Sequence, residues 1–211
     1  MDKTKRDILQ FAHSFADEMK NQYEWMSFHL WEMMIEVEDI KNALEVFKVV
    51  QDEWERRVAT GKRVEHSILR NTLFYALTYR VVLGLSRIFV GGTNGFSLGK
   101  TVNTISQMQE FRSDTTIQAL IQRIEVFLSS NKMVQTVSVI RDQFFAHLDR
   151  RSVITDYRID PSMALKDIHT RDIEDGAKLI RALNKACYNQ QLKCSKNEIT
   201  RADILRSFFL L

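Results

Sequence analysis

The stretch EHSILRNTLFYALTYRVVLGLSRIF, residues 65–89, decides the fold. It holds no proline and one glycine, and its apolar residues neither alternate as in a strand nor keep to one stripe. A helix that is apolar on nearly all sides belongs in the middle of a helical bundle. Arg70, Arg80 and Arg87 interrupt it and argue against a lipid setting. Upstream, residues 2–60 contain neither Gly nor Pro, and apolar residues recur there at helical spacing from Ile8 to Trp54. Two long helices are expected in that span, with a join near residues 36–39. The three Trp read as core or interface anchors. ATGKR (residues 59–63) is the first break, and GGTNGFSLG (residues 91–99) is a loop. Its glycines do not follow a strand, which argues against a phosphate cradle of the dinucleotide-binding or P-loop kind.

Downstream the pattern predicts helices near residues 100–111, 116–129, 132–148 and 172–190, with a turn at Pro161 and a small helix at the end of the chain. One Pro and seven Gly in 211 residues leave too few turn residues for a β-sandwich. The expected fold class is therefore all-α. Three parts are expected to form one compact unit: long N-terminal helices over 1–60, a core over 61–155 and a helical extension over 156–211. The net charge of +3 is unevenly spread. Residues 1–60 carry 8 Lys and Arg against 13 Asp and Glu, residues 61–140 carry 9 against 4, and residues 141–211 carry 13 against 10. An acidic front and a basic remainder suit a polyanionic partner, and they equally suit ordinary solvated helix faces. Cys187 and Cys194 match neither a zinc pattern nor a secreted disulfide framework. No signal peptide and no apolar run of membrane-spanning length is read, so a cytoplasmic location is expected.

Two segments nearly rhyme: RDILQFAH at 6–13 and RDQFFAH at 141–147. With 17 Arg and 5 His in the chain, loose Arg–His spacings arise by chance, so helical geometry must separate the two. In the first, Arg6 and His13 project about 160° and 140° away from Ile8 in the apolar stripe, at 100° per residue. That copy reads as helix punctuation. In the second, Arg141 lies about 40° from Val137, within the stripe of Val137, Ile140, Phe144 and Leu148, and His147 lies on its flank. A guanidinium in an apolar seam needs an anion. The partner would be a carboxylate from another helix, or a phosphate if the seam opens into a cleft. The plainer alternative is a structural Arg beside a satisfied, half-buried His.

RDQFFAHLD, residues 141–149, resembles the signature of HEPN domains, and of their abortive-infection branch above all. LTYRVVLGLSRIF (77–89) and FSLGKTVNTI (96–105) are similar to the same branch. The resemblance covers about residues 63–150. It implies a helical bundle that forms a homodimer, with two copies of the motif across a shared cleft, and a metal-independent endoribonuclease with no cofactor. Carried over by residue, Arg141 would hold the scissile phosphate, His147 would be the acid/base, and Asp142 would orient one of them. RNA brings its own 2′-OH nucleophile, so the protein need only move protons and stabilise charge. Arg150 and Arg151 would extend the RNA-binding track, or else complement the helix C-terminus. Related toxins carry a Tyr two residues after the His, where their antitoxins modify it; here Asp149 stands in that place. Three function classes result: a ribonuclease effector of toxin or anti-phage defence type, restrained by an antitoxin or regulatory protein; a non-catalytic helical dimerisation or interaction module; and a nucleotide-binding cleft.

Overall fold

The computed structural model describes residues 22–61, 68–91, 97–145 and 165–194. Among them every regular element is helical, so the chain is all-α as its composition predicts. Helix α1, Gln22–Ala59, runs unbroken for 38 residues. The join expected near residues 36–39 is not there. Met26, Leu30, Met33, Val37, Ile40, Leu44 and Phe47 alternate steps of four and three and are all buried, so one seam runs straight through the position.

Helix α2, Ile68–Leu85, packs antiparallel on that seam. Arg80 and Glu36 meet towards one end of the pair, and Phe47 and Phe74 towards the other. Gly84 sets the approach, since a Cβ there would lie 2.6 Å from Ile40 Cδ1. Arg80 places a two-pronged hydrogen bond on Glu36 (2.7 and 3.0 Å). Contrary to the sequence expectation, Thr72–Val90 is long and apolar enough to cross a membrane by length and composition. In this fold its inner face, Val81, Val82, Leu85, Ile88 and Phe89, is buried in the bundle, and Arg80 is paired to α1.

The remaining helices are α3 (Leu98–Gln107), α4 (Gln109–Arg112), α5 (Thr115–Ser130), α6 (Lys132–Phe145) and α7 (Thr170–Cys194). Side-chain caps start three of them: Ser97 on Lys100 N–H, Asp114 on Thr116 and Ile117 N–H, and Asn131 on Met133 and Val134 N–H. The single helix expected over 100–111 is broken at Met108, whose extended backbone turns the chain so that both Met108 and Phe111 reach the core. Helix α7 lies between α1 and α5 and buries Ile173, Ala177, Ile180, Leu183 and Cys187. Lys41 to Glu174 (3.0 Å) ties it to α1, and Lys48 to the Ile168 carbonyl (2.9 Å) ties the segment just before it. One cluster of buried side chains draws on α1, α2 and α3 to α7 together. Pro161 and the RDILQFAH copy lie outside the described residues.

Candidate functional site

The end of α2 is not regular. Ser86–Val90 widens into a π-turn, closed by the Gly91 N–H donating to the Ser86 carbonyl at 2.9 Å. Insertions of this kind recur at functional sites because they re-aim the residues around them. Gly91 then takes φ 78 and ψ 175, a backbone conformation that is essentially restricted to glycine. A Cβ at Gly91 would also press on Ser97 Oγ at 3.2 Å.

Helix α6 brings Arg141 to this point. Val134, Val137 and Ile140 are buried and anchor the helix, leaving Arg141 at its edge with 29% of its side chain exposed. Its Nη1 donates to the Gly91 carbonyl at 2.7 Å. Its Nε and Nη2 both reach Asp142 Oδ1, at 2.8 and 2.7 Å. The anion that the seam requires is thus the carboxylate of the next residue, with a neutral backbone carbonyl as a further acceptor, where a carboxylate from another helix was one expectation. Neighbouring residues on a helix diverge by about 100°, so both side chains bend to meet. Of the five guanidinium N–H groups, these contacts use three and leave two.

A cleft of about 320 Å³ opens one turn back along α6, lined by Phe89, Val90, Ser97, Leu128, Val134 and Ser138 among others. Its walls are apolar and its polar groups few, chiefly Ser97, Gln135 and Ser138. It lies between the π-turn, the start of α3 and the face of α6 that carries Arg141. Among the described residues no group of three or more His, Cys, Asp or Glu is placed to hold a metal ion. The side chain of Cys187 is buried in the core.

The sequence-predicted site residues divide accordingly. Arg141 and Asp142 are brought together, whereas His147, Arg150 and Arg151 lie outside the described residues. Sequence reasoning missed the π-turn, the role of Gly91 and the cleft-lining Ser138. The signal was a Gly-Gly pair directly after a long apolar helix, which marks a backbone conformation that other residues avoid. Compared with known proteins, the chain matches no family model, no curated protein and no solved structure.

Proposed function

We propose that the protein is a metal-independent endoribonuclease of toxin or anti-phage defence type, cytoplasmic and working as a homodimer under an antitoxin or regulator. His147 is the acid/base, Arg141 binds the scissile phosphate and Asp142 fixes the guanidinium. The observation that supports this reading is the Arg141 clamp. A guanidinium held on two sides beside a cleft, with two donors unused among the described residues, is oriented before substrate arrives. In the reaction, the 2′-OH attacks the adjacent phosphorus and the 5′-oxygen leaves, giving a 2′,3′-cyclic phosphate. One imidazole accepts the 2′-OH proton, and a protonated imidazole, in the dimer that of the second copy, returns a proton to the leaving oxygen.

The test is cleavage of total and transfer RNA in excess EDTA by wild type and His147→Ala, both shown folded and of equal oligomeric size. Wild-type cleavage with a silent variant is expected; equal cleavage by both, or none by either, overturns the reading. The same clamp also favours a second reading. Because Arg141 already satisfies the Gly91 carbonyl, it can serve as a structural tie in a non-catalytic interaction module, and His147→Ala would then leave partner binding unchanged.

A further inference from the structure

A second surface has the chemistry of a polyanion track. Helices α5 and α7 run antiparallel: Asn131, just after α5, meets Asp172 near the start of α7, and Gln190 near the other end of α7 donates to the Glu110 carbonyl. Between them lies an open groove of about 640 Å³, floored by Ala119, Leu120, Ala182 and Ala186. Arg123 and Lys185 stand on its walls with Thr115, Thr116 and Asn189, and no carboxylate lines it. Among the described residues neither Arg123 nor Lys185 is ion-paired. The charge continues along α7: residues 176–194 hold Lys178, Arg181, Lys185 and Lys193 and no Asp or Glu, Lys178 being paired to Asp175 at 2.8 Å. At 100° per residue these four fall within an arc of about 120°, on one exposed face.

An acidic protein segment and a nucleic-acid backbone both suit such charge. The apolar content decides between them. Protein-docking grooves draw their affinity from large aromatic or aliphatic anchors seated in pockets. Here the floor is three alanines and Leu120, which is only 8% exposed, and the exposed large apolar side chains of the described residues, such as Val49, Tyr75 and Tyr79, lie elsewhere. The groove offers cations and hydroxyl and amide groups around small apolar side chains, with no large exposed apolar anchor, which matches phosphate and sugar contacts.

We infer that the α5–α7 groove binds the backbone of single-stranded RNA, as a surface distinct from the Arg141 cleft. It rests on the ribonuclease reading only for the choice of RNA as the nucleic acid. From Leu128 at the cleft to Ala119 in the groove is nine residues of α5, roughly 14 Å at 1.5 Å each. At 100° per residue Ala119 and Leu128 are also about 180° apart around α5, so the groove and the cleft open on opposite sides of that helix.

The test uses the full chain carrying His147→Ala, so that cleavage cannot intervene, and a labelled single-stranded RNA of roughly 16 nucleotides. Arg123→Glu with Lys185→Glu is expected to weaken binding at least tenfold. The dependence of log affinity on log salt should fall by about 1.4, at 0.7 per lost phosphate contact. The milder pair Arg123→Gln with Lys185→Gln removes the same two contacts, so it should lower the salt slope by a similar amount while weakening affinity less, which guards against a folding artefact. Unchanged affinity and salt slope in both pairs, or no RNA binding by the parent, overturns the inference. So does displacement of the RNA by polyglutamate of equal charge at equal concentration, which would make the groove a site for acidic protein. If RNA binds through the groove and wild type does not cut it, the nuclease reading falls and the groove stands. If wild type cuts and the groove variants bind as well as the parent, the reverse holds.

Discussion

At Arg141 one side chain connects two backbone problems. The π-turn ends in a glycine conformation that exposes a carbonyl, and the guanidinium satisfies it. Removing the side chain leaves that carbonyl without its charged donor and Asp142 without its cation. Arg141→Ala should therefore cost about 1–3 kcal/mol, the range for a charge-assisted hydrogen bond with its partner left behind. Arg141→Lys should recover only part of it, because an ammonium lacks the planar fork that spans both acceptors. Urea unfolding of the three proteins checks this, and an alanine variant as stable as wild type would show that water replaces the clamp. Gly91→Ala tests the other partner. With φ at 78 and ψ at 175, alanine should cost roughly 1–3 kcal/mol, the price of forcing a side chain into a sparsely populated region. The seam position of Arg141 was legible in the sequence because 3.6-residue periodicity fixes which side chains share a face. Its partners were not, since a neighbouring side chain bending against the helical divergence and a carbonyl 50 residues away leave no periodic trace.

At the scale of helices, spacing was a good guide wherever a buried stripe was long. The starts of α5 and α6 fall where Asp114 and Asn131 offer capping oxygens ahead of apolar runs. The reading failed where a buried residue overrode local preference, as at Met108, and where length itself suggested a join that α1 does not have. Helix α1 ends in a charge clasp that can be followed directly. Glu53 accepts from Arg56 (2.8 and 2.9 Å) and from Arg57 (2.7 Å). These hydrogen bonds, Arg56 first and then Arg57, hold its carboxyl at about 2, against an ordinary value of 4.5. A lowered folded-state value means that the clasp stabilises the helix end above the ordinary pKa and is lost as pH falls from there through about 2. Carbon-detected NMR titration should find the Glu53 carboxyl midpoint near 2, and Arg56→Ala with Arg57→Ala should bring it back towards 4.5. A wild-type midpoint at the ordinary value would show the clasp to be open in solution.

Across the whole molecule the π-turn is where separate helices meet. It continues α2, its terminal carbonyl is held by α6, and Ser97 at the head of α3 lies against Gly91. On its far side Phe89 packs edge-on to Phe127 of α5, with ring centroids 5.6 Å apart, and both rings close over Gly176 of α7. A Cβ at Gly176 would lie 2.7 Å from Phe89 Cζ and 3.2 Å from Phe127 Cζ. Aromatic rings cannot yield as a flexible chain end does, so Gly176→Ala should cost about 1–3 kcal/mol by overpacking, despite the higher helix propensity of alanine. The displaced Phe89 belongs to the π-turn, so the strain should reach the Gly91 carbonyl and loosen its bond to Arg141. A double-mutant cycle of Gly176→Ala with Arg141→Ala should then show a coupling above about 0.5 kcal/mol, the scale at which distant and independent sites simply add. The expected sign is a double variant less destabilised than the sum of the singles, because a bond already weakened has less to lose. Coupling below that level would mean that the turn absorbs the strain locally, and the Arg141 clamp would then be set by α6 and Gly91 alone.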